Sequence, residues 1–503
     1  MSAVAPSLMT TLLPGFAGTS LPAWLRDRLR AGLGGVCLFG QNIVSFQQLR
    51  ALTDAIYAAN PHALTAMDEE GGDVTRLFHD VGSPWPGNAV LGRIDDLAST
   101  RNVACQIGWE LRRVGCNVNF APSVDINSNT ENPVIGVRSF GVVAERVAQH
   151  SAAWIDGLQS TGVAASAKHF PGHGDTEQDS HVSLPVVDQF ADELRHRELL
   201  PFAAAINAGS HLVMTSHILL PQIDTENPAT MSHKVLIGLL REELGFSGVI
   251  VSDALDMAGA SASRGIPDAA VRALAAGCDL LCLGTDNTNE QLIDIEGAVS
   301  KGIASGTLSA ERVHDGAERV QALASDLLTS RPAIPEPSNS DACPEDELEL
   351  IKAFDLQPAA WEWRARPSAR YSVVRLETHA NIAVGTTPWG PFAEVARDPH
   401  SPTNAAFAAQ PQFKVTTTRS SPALSPSEAV LIVGRDIHRH AFARAAVDRL
   451  RYRHAHVLVV DMGWPSDDRR YADVATFGAS RVMGKALLTF LAGEEPPHAT
   501  HAR

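Results

Sequence analysis

Short apolar runs alternate along this chain with longer stretches in which apolar positions recur every three to four residues. The runs are Leu8–Leu13, Gly35–Phe39, Leu64–Met67, Val118–Ala121, Ala164–Ala167, Leu212–Thr215, Val249–Val251 and Leu280–Leu283. They are nearly continuous in apolar character, as strands of a parallel sheet buried on both faces must be. Helical periodicity predicts segments near 20–32, 45–59, 97–114, 143–160, 190–208, 233–244, 266–276 and 288–304, with a further helix near 309–330. Eight strand–helix units in residues 1–330 fit an α/β (β/α)8 TIM-type barrel. A doubly wound open sheet is the competing arrangement, and the count of eight favours the barrel.

Beyond the barrel the pattern changes. Residues 331–350, RPAIPEPSNSDACPEDELEL, are rich in Pro, Ser and acid and read as an interdomain linker. Residues 351–503 resume strand-like runs at Tyr371–Leu376, Ala429–Val433 and His456–Val460, with a helix near 438–452. This predicts a smaller, sandwich-like α/β domain, of no assigned role, after the barrel.

Polar residues follow the predicted strands in a consistent way. Asp68 follows the third, Asp125 the fourth, Lys168 and His169 the fifth, Ser216 and His217 the sixth, and Asp253 the seventh. The carboxyl ends of barrel strands are where this architecture places its chemistry. The densest stretch is 164–185, AASAKHFPGHGDTEQDSHVSLP, in which a buried strand ends in Lys-His and spills into a long loop broken by Gly and Pro. Within it, Asp179-Ser180-His181 sets a carboxylate two residues from an imidazole that it could orient and make more basic. Two other accounts stand beside this one. The loop could simply be solvated, or His173, Asp175, Asp179 and His181 could form an N/O metal-ligand set, although their spacing matches no common zinc pattern.

Asp253, in VIVSDALDM, is a carboxylate leaving a buried strand. Facing a mobile acid/base such as Asp179–His181, it suggests retaining displacement at an anomeric carbon. In such a reaction one carboxylate attacks while a second group protonates the leaving oxygen. A helix N-cap is the plainer account of Asp253. Asp68, Arg76, Arg138, Lys168 and His169 could hold sugar hydroxyls, and Arg76 and Arg138 could equally form surface ion pairs. In the second domain, RDIHRHAFAR has helical spacing and reads as a solvated helix face rather than a metal site. GASRVMGKA misses the phosphate-loop spacing and its Ser/Thr.

Composition narrows the partners. Lys and Arg number 41 against 57 Asp and Glu, for a net charge of −16, and no basic patch stands out, which argues against nucleic acid. The six cysteines are scattered, mostly in apolar runs, and read as buried thiols. No apolar run is long enough to span a membrane, and the first residues lack the pattern of a signal peptide. The expectation is a reduced, cytoplasmic protein without a cofactor or a bound metal.

Five segments go beyond composition: PGFAGTSL (14–21), LTAMDEEGGDVTRL (64–77), NPVIGVRSFG (132–141), AKHFPGHGDTEQDSH (167–181) and GVIVSDALDM (248–257). In these motifs and their order the chain resembles glycoside hydrolase family 3, in particular its bacterial β-N-acetylglucosaminidase branch. KHFPGHG followed by DSH is the specific part. The resemblance implies that Asp253 is the nucleophile and that His181, assisted by Asp179, is the acid/base. It implies that Asp68 holds distal hydroxyls and that Arg138, Lys168 and His169 line the same sugar pocket, with Arg76 nearby. It further implies a β-N-acetylhexosaminidase that removes terminal β-linked N-acetylglucosamine during cell-wall recycling. Asp73 stands where many relatives have arginine, and many enzymes of the branch lack a second domain. Three other functions remain open: a phosphorylase with phosphate as acceptor, a non-catalytic carbohydrate-binding protein, and a metallohydrolase.

Overall fold

The structure is a computed structural model that describes residues 4–176, 184–261, 265–335, 346–365, 370–378, 381–418, 422 and 424–493. The chain forms two compact units. One comprises Met1–Glu70, Thr100–Ile126 and Val142–Ser338. The other comprises Gly71–Ser99, Asn127–Gly141 and Asn339–Arg503. Two stretches from within residues 1–330 therefore belong to the second unit.

The first unit contains β1 (Leu12–Leu13), β2 (Gly35–Cys37), β3 (Leu64–Met67), β4 (Val118–Asn119), β5 (Ala164–Phe170), β6 (Leu212–Thr215), β7 (Val249–Val251) and β8 (Leu281–Cys282). β2 to β7 pair in sequence order, all parallel, and β8 pairs in parallel with β1. The circle closes on both sides of that pair: Val251 bridges Leu280, and the Cys37 amide donates to the Pro14 carbonyl at 2.9 Å. The result is an eight-stranded parallel barrel with no open edge.

Its interior is filled by one or two residues from each strand, among them Leu13, Cys37, Leu64, Val118, Ala164, Leu212, Val249 and Cys282. Helix Ala310–Thr329 adds Val320, Leu323 and Leu327 to the same core. Each strand meets this core on one side and the outer helices on the other, which is why the apolar runs carry no polar alternation. Helix starts follow side-chain caps: Ser45 accepts from the Gln48 amide, and Thr288 forms a capping box with Gln291.

Three local expectations are corrected. Leu8–Thr10 belongs to helix Val4–Thr10, so the first strand keeps only its last two residues; so short an apolar run does not separate strand from buried helix. The helix expected over 190–208 is two, Ala191–His196 and Leu199–Asn207, with the second carrying a proline in its first turn. Residues Lys234–Glu243 form a π-helix.

The second unit is built on β9 (Asp355–Leu356), β10 (Tyr371–Leu376), β11 (Gln412–Val415), β12 (Ala429–Gly434), β13 (Val457–Asp461) and β14 (Val474–Ala475). The order is β11-β10-β12-β13-β14-β9, parallel except for β9, which runs antiparallel to β14. Side chains alternate between two cores. Val373, Leu431, Val433 and Leu458 meet helices Pro358–Ala365, Gly390–Arg397 and Arg481–Ala492, while Val374, Ile432 and Val459 meet helix Ala441–Arg453. This is a three-layer α/β sandwich. Helix Glu347–Ile351 forms at the end of the stretch read as a linker, and its Leu350 is fully buried.

Candidate active site

β3 and β5 end in residues that share one buried ion cluster. The Lys168 ammonium lies 2.6 Å from Asp68 Oδ1 and 2.7 Å from Glu70 Oε1, and the side chains of Lys168 and Glu70 are only 2% and 3% exposed. Asp68 and Glu70 are two residues apart just beyond β3, and both carboxylates reach the same ammonium. A buried cation held by two carboxylates is stiff, because any rotamer that leaves the pair strands a charge in a low-dielectric interior. Asp68, the more exposed at 20%, is the member available to a ligand.

The next residue, His169, turns to a different partner. Its Nδ1 is 2.7 Å from Asp125 Oδ2, beyond β4. Asp125 also accepts from Ser123 Oγ at 2.9 Å and from the amides of His169 and His173 at 3.2 and 2.7 Å. Burial pushes the Asp125 carboxyl up, but the charge and hydrogen bond of His169, with the charge and amide of His173, outweigh it and hold the group below the ordinary carboxylate range. An ionised Asp125 requires the His169 proton on Nδ1, which fixes both ring orientation and tautomer.

His173 packs edge-on against His169 with ring centroids 5.9 Å apart, and its Nδ1 meets Thr176 Oγ1 at 3.1 Å. Burial above all, then the neighbouring His169, lowers its pKa to about 4, against the opposing pull of Asp125. An unfolded histidine titrates near 6.5. Between these values the unfolded chain takes up a proton that the folded chain refuses, so stability falls as pH drops from about 6.5 to about 4, by roughly 3 kcal/mol in total. Asp125 is lost over a separate window, below the unfolded carboxylate value near 3.9. His173→Asn should therefore flatten the stability profile between pH 6.5 and 4.5, measured as the urea midpoint of the barrel unit. An unchanged slope would mean that His173 is charged when folded.

Asp253 stands two residues beyond β7, partly exposed, with Oδ1 accepting from the Ala254 amide at 2.8 Å. It is not a helix N-cap, since the next described helix begins at Ala258. Its charge acts on His173, and both it and Asp68 act on the buried Cys282 thiol. His217, fully buried, braces this turn: its Nε2 is 3.0 Å from the Ala254 carbonyl and its Nδ1 is 2.9 Å from Thr230 Oγ1. The barrel thus gathers Asp68, Lys168, His169 and Asp253 at the carboxyl ends of β3, β5 and β7, with Glu70, Asp125, His173 and His217 supporting them. Glu70 and the bracing role of Asp125 went unread in the sequence. Asp125 was noted only for its place after the fourth predicted strand, and Glu70 is one of three consecutive acids after the third.

Asp179 and His181 lie outside the described residues. The chain before them is anchored where Asp175 takes Arg197 at 2.7 Å and also the Gln189 amide, so the described half of the conceivable metal set is occupied by protein partners. Arg197 pairs in turn with Glu198 at 2.7 Å, and burial raises the Glu198 pKa to about 7 despite that partner. The chain after them is held to the barrel by Leu219, whose amide donates to the Pro185 carbonyl and whose carbonyl accepts from the Val187 amide, each at 2.9 Å.

Arg76 and Arg138 belong to the second unit. Arg76 Nη1 donates to the Ala383 carbonyl at 2.9 Å, and Arg138, 6% exposed, donates from Nη1 to the Val134 carbonyl at 3.2 Å. In the same unit the helix-face reading of RDIHRHAFAR is corrected. His438 is 9% exposed in a 3-10 turn ahead of helix Ala441–Arg453, with its Nε2 3.5 Å from Glu131. Asp73 accepts from the Ala479 amide at 2.7 Å, and its burial raises its pKa to about 6.

Residues 22–323 match the glycosyl hydrolase family 3 N-terminal domain. A β-hexosaminidase A of Pseudoalteromonas piscicida is 40% identical over 287 residues, 52% of this chain and 48% of that protein, so the match spans about half of that relative's length. A β-hexosaminidase of Stenotrophomonas maltophilia is 40% identical over 278 residues, 54% of this chain and 82% of its own. Among solved structures, a glycoside hydrolase family 3 β-N-acetylglucosaminidase from Paenibacillus sp. superposes with a TM-score of 0.83 at 30% identity, covering 98% of this chain and 97% of that one.

Proposed function

We propose that this chain, which belongs to glycosyl hydrolase family 3, is a retaining, exo-acting β-N-acetylglucosaminidase. The observation that carries the reading is the position of Asp253: a partly exposed carboxylate at the carboxyl end of β7, with the Lys168–Asp68 pair and His169 at the carboxyl ends of the alternate strands β3 and β5. Likeness to a β-N-acetylglucosaminidase over nearly the whole chain supports the sugar.

In this reading Asp253 attacks the anomeric carbon as the bond to the aglycone oxygen breaks. His181, oriented by Asp179, gives that oxygen its proton. The same imidazole then takes a proton from water, which attacks the glycosyl ester, frees the Asp253 carboxylate and releases the sugar with its β configuration retained. Asp68, held in place by Lys168, binds distal hydroxyls, and Lys168 and His169 line the same sugar pocket. The substrate is a small glycoside, and we assign it to cytoplasmic turnover of cell-wall fragments. No described helix is long and apolar enough to cross a membrane.

The test is product analysis by NMR with an aryl β-N-acetylglucosaminide in phosphate buffer. Free N-acetylglucosamine appearing first as the β-anomer is expected. A sugar 1-phosphate would make the enzyme a phosphorylase, the α-anomer first would end the retaining mechanism, and no cleavage would favour a binding protein. In the same assay His181→Ala should slow substrates with poor leaving groups by about 10²- to 10⁴-fold and those with acidic leaving groups far less. Equal losses would remove His181 from the acid role.

A further inference from the structure

The parallel sheet of the second unit has a switch point. β11 lies on one side of β10 and β12 on the other, so successive connections leave in opposite directions and the carboxyl ends of β10 and β12 frame a crevice. Ligands of open α/β sheets bind at such a place. Here the crevice encloses about 1030 Å³ including its open mouth, and Arg375, Glu377 and Thr378 after β10, Thr416 after β11 and Arg435 after β12 line it, with Trp389.

Arg435 is the unusual member. It is 8% exposed, its guanidinium lies 4.7 Å from the Trp389 ring centroid, and its Nε is buried with no hydrogen-bond partner among the described residues. Asp73, Asp436 and Glu377 act on it only through space. Thr378, 4% exposed, likewise holds a buried Oγ1 with no partner. Buried donors, charged ones above all, are costly unless acceptors meet them. The nearest carboxylate on the crevice wall is already spent: Glu377 takes Arg375 at 2.7 Å and lies 3.4 Å from Trp389 Nε1. Arg375 is held in turn over the rings of Trp389 and Phe392, at 4.8 and 4.4 Å. The crevice therefore offers a fixed guanidinium and hydroxyls with little left to accept, which suits an oxygen-rich anion better than a neutral polyol.

We propose that the second unit binds a carboxylate or phosphate group at this switch point, with Arg435 as the principal contact and Thr378 as a second donor. The site is independent of the glycosidase reading. Calorimetric titration of the full chain with inorganic phosphate, and separately with acetate, at constant ionic strength tests it. Saturable binding of at least one anion is expected, weakened about tenfold or more by Arg435→Met and several-fold by Thr378→Val. Preference for phosphate or for acetate identifies the group. Binding of neither anion, or wild-type affinity in Arg435→Met, would overturn the proposal. Should Arg435→Met fail to fold, Thr378→Val decides alone, since an unchanged affinity there would also overturn it.

Discussion

Asp253→Ala should reduce kcat by about 10⁴-fold or more while leaving the melting temperature of the barrel unit nearly unchanged. The two effects separate because the carboxylate is partly exposed and the bond it accepts from the Ala254 amide joins adjacent residues, so its removal opens no cavity in the core. Its position in the proposed reaction has no substitute, since neither Asp68, paired with Lys168, nor Asp125, enclosed by His169 and His173, is free to attack. The vacated volume should admit a small anion. Azide ought to restore part of the rate on an activated aryl glycoside and yield the α-glycosyl azide, because a single displacement inverts. Wild-type turnover in the variant would sink the assignment of the nucleophile. Rescue that gives the β-azide would sink the geometry of attack.

The barrel was legible because its strands are buried on both faces, so each announces itself as an unbroken apolar run ending in a polar residue. That pattern carried Asp68, Lys168, His169 and Asp253 to their places. It could not show that Glu70 shares the Lys168 ammonium, since DEEGG presents three acids and only the direction of the chain after β3 separates them. Nor could it show that Gly71–Ser99 and Asn127–Gly141 pack with a domain more than two hundred residues away in sequence, which put Arg76 and Arg138 in the second unit. There the sheet was half read: β10, β12 and β13 are apolar at most of their positions, whereas β9 and β14 have two residues each and β11 exposes Gln412 and Lys414, as an edge strand does. His438 misled because i, i+2 histidines beside a helix look solvated in sequence. It is buried, and its Nε2 lies 3.5 Å from Glu131, a residue of the distant 127–141 stretch.

Lys168→Met should cost the barrel about 3–5 kcal/mol of stability as well as its activity. The methionine fills most of the volume but takes from Glu70, 3% exposed, the ammonium that lay 2.7 Å from its Oε1. A buried carboxylate deprived of such a counter-charge is less favourable whether it stays charged or takes up a proton at neutral pH. Loss of activity alone would then be ambiguous, because a loosened strand end moves every group near it. The double variant Lys168→Met, Glu70→Gln resolves this. With the buried charge gone, most of the stability should return, while Asp68, the proposed ligand of the sugar, still lacks the ammonium that fixes it. Recovery of stability without activity, with KM for the aryl glycoside raised, is the expected outcome by thermal melting and steady-state kinetics. If activity returned with stability, Lys168 would serve the fold only, and the binding of the sugar would have to be reassigned to His169 and Asp68 without it.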